Sequence, residues 1–247
     1  MYDYGYSASP FMDYSFGGGS MISLILVLLC AVAASIASRK VTKTFQQYDG
    51  VGSFRNMTAE QAAQMVLQFY GITDVQIQHI QGQLTDNYNP TNKVLSLSDA
   101  TYGHNSIAAI GVACHEAGHA AQHAEGYLPI KIRNAFVPVC NIGTKAGIPI
   151  ALIGAALGFE PLVIVGLLLY SAIAVFQFIT LPVEFNASHR AMKVMDETDI
   201  LSDEELPGAR KVLKAAAMTY VAAMASTLAS ILRYAVILLN RSSRNSR

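Results

Sequence analysis

Long runs with almost no charge alternate with segments that carry nearly all of it, and this alternation limits the fold more than any other feature of the chain. Residues 21–37 are apolar almost without interruption, about the shortest length that crosses a hydrocarbon core. Hydrophobicity returns over residues 134–181, broken by Gly158-Phe-Glu-Pro161, and again over residues 215–239 apart from Arg233. Hydrophobic residues make up 52% of the 247 and charged residues only 14%, a balance displaced from soluble domains toward membrane proteins. The expected fold class is therefore mainly α and membrane-embedded.

Charge placement orients the first run. A cleaved leader carries its positive charge ahead of the apolar stretch, whereas here Arg39, Lys40 and Lys43 follow it. The pattern predicts an uncleaved anchor over residues 21–38 with its N-terminus outside and the next domain in the cytoplasm. Residues 134–181 read as a transmembrane hairpin, its spans drawn over 143–157 and 161–180. The shorter span carries Lys145 near its start and is expected to tilt, re-enter or pack against the others. Residues 215–240 are either a fourth span or an interfacial helix with Arg233 snorkelling. A fourth span would leave Arg241, Arg244 and Arg247 outside, against the positive-inside tendency, so the count is three or four.

Between these runs the chain reads as soluble structure. The Tyr- and Gly-rich residues 1–20 form an expected disordered tail. Residues 39–133 form the cytoplasmic region. Within it a helix starts after Thr58, with Gln61 at capping-box spacing, lines Ala62, Met65, Val66 and Phe69 along one side and ends at Gly71. Alternation around Val75 to Gln78 and Lys93 to Ser98, separated by the turn-rich stretch 86–92, predicts a β-hairpin with Pro90 in its turn. A helix over residues 105–125 is expected to be capped by Asn105 or Ser106 and stopped by Gly126. Residues 182–214 form a polar segment.

Several functions drop out on composition. Formal net charge is zero, and the chain has neither a basic stripe interleaved with aromatics nor a Gly-rich phosphate loop, so a nucleic-acid partner is not expected. Cys30, Cys114 and Cys140 are odd in number and widely spaced, which is compatible with a reducing compartment.

The chemistry-bearing motif is Cys114-His115-Glu116-Ala117-Gly118-His119, which contains His-Glu-x-x-His. Residues four apart lie on one helix face, so His115 and His119 can meet a single Zn2+ ion. Glu116 then sits where a carboxylate can take a proton from water without ligating the metal. From this chain's own His and Glu frequencies the bare pattern arises by chance roughly once in two hundred such sequences. Small residues Ala113, Ala117, Gly118, Ala120 and Ala121 leave room for a metal and for close backbone approach.

A catalytic zinc needs a third protein ligand and an open position. His123 lies one turn further on, but about 12 Å of helix rise separates it from His115, which assigns it to the solvent side or to supporting contacts. Glu184 follows the hairpin in Leu181-Pro-Val-Glu184 and returns to the same membrane face as the histidines. Position alone allows two readings of it, a charge that ends a span and a metal ligand.

Three stretches carry a resemblance: Ser106-Ile-Ala-Ala-Ile-Gly-Val-Ala-Cys-His-Glu-Ala-Gly-His119, Leu181-Pro-Val-Glu-Phe-Asn-Ala-Ser188 and Gly208-Ala-Arg-Lys-Val-Leu-Lys-Ala-Ala-Ala217. From about Ser20 to Leu239 the chain resembles the bacterial neutral zinc metallopeptidases of the YugP-like family and, more remotely, membrane gluzincins such as HtpX and the CAAX prenyl proteases. The resemblance implies a helical gluzincin-like metallopeptidase with a small β element. It also implies His115, His119 and Glu184 as zinc ligands and Glu116 as catalytic base. The wider gluzincin pattern has Asp four residues after the ligand Glu, where it orients a histidine; this chain has Ser188 there, with Asn186 the nearest other polar residue.

His189, Arg190, Arg210 and Tyr220 are each chemically able to stabilise an oxyanion, and the sequence does not choose among them. Cys114 points about 100° away from His115 and is expected to pack. The strands around residues 75–98 could offer an edge to an extended peptide. The expected function is a zinc endopeptidase at the cytoplasmic face of the membrane, acting on membrane-associated or unfolded polypeptide; that the membrane is a bacterial plasma membrane is implied by the resemblance alone. One alternative is an intramembrane zinc protease, disfavoured by the polar residues Asp99, His104, Gln122 and Glu125 around the motif. The other is a non-catalytic zinc-binding membrane protein, for which a fourth ligand is lacking.

Overall fold

The computed structural model describes the backbone of residues 18–245 and the side chains of residues 21–237; the tail expected to be disordered lies almost wholly outside the described residues, as do the side chains of Arg241, Arg244 and Arg247. In chain order the elements are α1 (Gly18–Asp49), α2 (Ala59–Phe69), β1 (Gln76–His79), β2 (Asn87–Asn89), β3 (Val94–Leu97), α3 (Ile107–Ala124), α4 (Leu128–Ala156), α5 (Glu160–Glu197) and α6 (Leu206–Asn245).

Four of these helices, α1, α4, α5 and α6, are long and apolar enough to cross a membrane, the highest mean hydropathy being 2.6 in α1. Their apolar residues point outward. Ile22, Leu29 and Ile36 of α1, Leu152 of α4, Leu168 and Phe178 of α5 and Leu232 of α6 are exposed, the surface expected where lipid rather than protein covers the helix. Helix α1 packs along α6, and α4 packs along α5. The α4–α5 contact relies on missing side chains: a Cβ on Gly166 would lie 2.4 Å from the Ala151 amide nitrogen, and one on Gly147 would lie 2.8 Å from that of Tyr170. Small residues that let backbones approach are the usual solution where no hydrophobic force drives helices together.

The first span and the segment after the hairpin run further than their apolar stretches suggest. Helix α1 continues past Arg39, Lys40 and Lys43 to Asp49, and α5 continues through Pro182 and Glu184 to Glu197. The second arm of the expected hairpin and the segment expected to hold Glu184 are thus joined in one continuous helix.

At the end of the bundle where these extensions meet lies a layer built on α3. Its core combines Ala62, Val66 and Leu67 of α2, Leu95 and Leu97 of β3, Ile110, Ala113 and Cys114 of α3, Val194 and Met195 of α5, and Ala209 and Leu213 of α6. Local sequence accounts for the helix boundaries. Gln61 accepts from the Thr58 amide at 3.1 Å, and Gly71 closes α2 with φ +67. Ser106 caps α3 by accepting from the Ala109 amide at 3.1 Å. Phe69, expected on the inner side of α2, instead stays exposed at the rim.

The β element departs from a simple hairpin. Strands β1 and β3 pair in parallel, Ile77 opposite Leu95, and β2 pairs antiparallel with β3, Tyr88 opposite Leu95, giving the order β1-β3-β2. The stretch 86–92 is more than a turn: it supplies its own strand, which takes the hairpin position beside β3 through a turn at Pro90 and moves β1 to the opposite edge. Asp86 anchors this arrangement, its carboxylate accepting from the Ser98 amide at 2.8 Å and the Ser98 hydroxyl at 2.9 Å. β2 is left at the sheet edge, next to α3.

Candidate metal centre

Helix α3 sits with its His-Glu-x-x-His face against the membrane-proximal part of α5. On α5, Glu184, Ala187, Ser188 and Ala191 fall on one face, and Ala187 meets α3 at Gly118. A Cβ on Gly118 would lie 2.6 Å from the Ala187 carbonyl oxygen, so the two helices come this close only because position 118 has no side chain.

That approach brings His115, His119 and Glu184 together, one ligand atom from each lying within 4.8 Å of the others. Glu184 Oε2 is 3.3 Å from His115 Nε2 and 3.6 Å from His119 Nε2. Glu184 and His119 are buried.

The supporting hydrogen bonds fix which histidine atoms face the cluster. Gln122 is fully buried, and its side-chain nitrogen donates to the Val183 carbonyl at 2.8 Å and to Asn186 Oδ1 at 2.9 Å. A carbonyl can only accept, so Gln122 Oε1 must face His119 Nδ1, 3.0 Å away, and must receive its proton. A neutral His119 therefore presents the lone pair of Nε2 to the Glu184 carboxylate. A cation between these two electron-rich atoms would stabilise the arrangement. The chemistry of the donor set, two imidazole nitrogens and one carboxylate oxygen with room for one more ligand, suits zinc. His115 is oriented similarly, with Nδ1 at 3.1 Å from Ser188 Oγ. Ser188 thus occupies the place where the wider gluzincin pattern has an aspartate.

Asn186 continues the network away from the cluster: its Oδ1 also accepts from Arg190 Nε at 2.8 Å, and Arg190 pairs with Glu125 at 2.6 Å beneath the rings of Tyr70 and Tyr127. Arg190 is therefore a strut behind the histidines. His189 and Arg210 are exposed and line neither cavity at the cluster. Tyr220 lines both.

Those two cavities, of about 200 and 150 Å³, meet at Asp86, Glu116, Glu184 and Tyr220. Burial pushes the Glu116 carboxyl above its ordinary range, with the two histidines partly opposing the shift. For His119, burial disfavours the charged form, but contact with Glu184, the charges of Glu116 and Glu184 and the Gln122 hydrogen bond outweigh it and raise its pKa.

Sequence reasoning missed Arg133. It enters from the first turns of α4, its Nη2 at 3.9 Å from Glu184 Oε1, and its buried Nε has no partner. It also lines the smaller cavity. No pattern links position 133 to the motif; only the packing of α4 shows it. His123, excluded as a ligand by helix rise, bonds instead through Nδ1 to the Tyr88 hydroxyl at 2.9 Å and ties β2 to α3. Cys114 is wholly buried in the core, as expected of a packing residue.

A helical chain with four candidate membrane spans whose His-Glu-x-x-His helix meets a Glu from one of those long helices presents the donor set of a zinc metallopeptidase. Comparison with known proteins gives the same class. The family model described as "Putative neutral zinc metallopeptidase" matches residues 23–239, and the chain belongs to that family. It is 39% identical over 225 residues, covering 91% of this chain and 100% of the relative, to the protein named "Putative membrane protease YugP" of Bacillus subtilis (strain 168). No solved structure matches.

Proposed function

We propose that this protein is a gluzincin-type zinc endopeptidase working at the cytoplasmic surface of the membrane on membrane-associated or unfolded polypeptide. The observation that carries the reading is the convergence of His115, His119 and Glu184 at a junction of two open cavities that Glu116 also lines. Zinc, when bound, would polarise the scissile carbonyl and make water a usable nucleophile near neutral pH.

The remaining work falls to side chains. Glu116 takes the proton from the attacking water, and its desolvated carboxyl, more basic than usual, later delivers that proton to the leaving amine. Gln122 and Ser188 hold the two imidazoles with Nε2 inward. Tyr220 and Arg133 border the opening and supply hydrogen-bond donors for a developing oxyanion.

Charge placement supports the cytoplasmic side. Arg39, Lys40 and Lys43 of α1, Lys131 and Arg133 of α4 and Lys211 and Lys214 of α6 gather at the end of the bundle that holds the cluster, and they outnumber Arg233, Arg241 and Arg244 toward the other end of α6. A reporter active only outside the cell, inserted at Gly158 between α4 and α5, is expected to be active; silence there reverses the orientation.

The primary test is zinc content together with cleavage of an unfolded protein by detergent-purified wild type, Glu116→Gln and Glu184→Ala. The reading requires Glu116→Gln to keep zinc and lose cleavage, and Glu184→Ala to lose both. A Glu184→Ala protein that binds zinc and cleaves normally removes Glu184 from the site.

A further inference from the structure

The two cavities that meet at the cluster differ in chemistry. The smaller is polar, with Asn87 and Tyr88 on one side and Arg133 and Asn134 on the other. The larger is walled by Val41 and Phe45 of α1, Val112 of α3, and Val212, Leu213 and Ala216 of α6. Its polar lining lies at the cluster itself, apart from Asp86, whose two carboxylate oxygens are already engaged by Ser98.

We infer that the larger cavity is the subsite for one apolar side chain next to the scissile bond, so that the protein cleaves beside residues of the leucine and phenylalanine class. The inference rests on the peptidase reading above and adds to it a substrate class. Because His115, Glu116 and Glu184 form one wall, a residue seated there is adjacent to the bond under attack.

Size selects the occupant. About 200 Å³ is below the roughly 300–1,000 Å³ of sites that engulf a whole small molecule, and it suits a single side chain rather than an acyl or prenyl chain. Chemistry selects it further, since away from the cluster the walls are apolar except for Asp86, already engaged by Ser98, and a charged side chain seated against them would give up its hydration for little return. Leu84 also lines this cavity; it is 37% exposed on a loop held by Asp86 and by Asp99, which accepts from the Gly82 amide, so a bound apolar group would cover it.

The test uses zinc-loaded, detergent-purified full-length protein, as wild type, Ala216→Phe and the milder Ala216→Leu. One readout is cleavage of peptides differing at a single position among Gly, Ala, Leu, Phe, Asp and Lys. The other is binding of peptide hydroxamates that carry a leucyl or a glycyl side chain. Wild type is expected to prefer Leu or Phe to Gly by on the order of tenfold or more in both readouts, and filling the cavity at Ala216 is expected to bring that ratio close to one. Equal binding of the two hydroxamates to wild type, or a preference that survives both substitutions, overturns the subsite while leaving the peptidase reading intact. Leucyl selectivity in binding without cleavage of any peptide supports the subsite and overturns turnover.

Discussion

Gly118 of α3 faces the carbonyl of Ala187 on α5 so closely that a Cβ would stand 2.6 Å from its oxygen. This contact sets the distance between the helix that carries both histidines and the helix that carries Glu184. Gly118→Ala must push the helices apart or strain them, at a cost of about 1–3 kcal/mol by analogy with overpacked cores. The displacement falls on the cluster, so zinc affinity measured by chelator competition is expected to drop along with the melting temperature. Gly111→Ala is the control: its Cβ would meet that of Ala209 at an ordinary 3.5 Å, and both quantities should stay near wild type.

Gln122 offers a separate test of how the histidines are aimed. Gln122→Leu removes both the acceptor for His119 Nδ1 and the donor to the Val183 carbonyl. Loss of a supporting contact of this kind typically lowers metal affinity about 10- to 100-fold. Gln122→Glu keeps an acceptor for His119 but cannot donate to Val183 as a carboxylate. Zinc affinity should therefore fall less in Gln122→Glu than in Gln122→Leu, while chemical denaturation shows a loss of about 1–3 kcal/mol in both. Equal zinc loss in the two variants would contradict the assigned orientation.

How much of this was legible beforehand depended on whether the signal was local. The histidine pair, Glu116, the Ser106 cap and the glycine ends of α2 and α3 are written within a few residues of where they act. Glu184 lies 65 residues beyond His119, and the hairpin returning to the same membrane face made it a candidate, while the resemblance favoured it as a ligand. The parallel pairing of β1 with β3 was hidden because it depends on a third strand, Asn87–Asn89, too short and polar to show alternation. Arg133, and the position of Arg190 behind the cluster, follow from helix packing and have no counterpart in spacing. Tyr220 could not be separated from His189, Arg190 and Arg210 until α6 was placed beside the cluster.

Ser188 takes the position of the aspartate found in the wider gluzincin pattern, 3.1 Å from His115 Nδ1. A hydroxyl accepts more weakly than a carboxylate. Ser188→Ala should lower zinc affinity, whereas Ser188→Asp should equal or exceed wild type in the same competition assay. Tighter binding by Ser188→Ala than by wild type would mean that the hydroxyl does not hold His115.

The two donors bordering the opening, Tyr220 and Arg133, both interact with Glu184 but differ in charge, and this separates them. Arg133 also approaches Glu184 at 3.9 Å, so Arg133→Ala mixes any effect on the oxyanion with a change in the charge beside a ligand. Tyr220→Phe removes only the hydroxyl and keeps the ring. If that hydroxyl meets charge that exists only in the transition state, kcat should fall by about 10²–10³ with zinc content and KM nearly unchanged. A fall confined to KM would place Tyr220 in substrate binding and leave the oxyanion to Arg133. In that case Arg133→Lys, which keeps the charge but not the planar fork, should recover part of the kcat lost in Arg133→Ala.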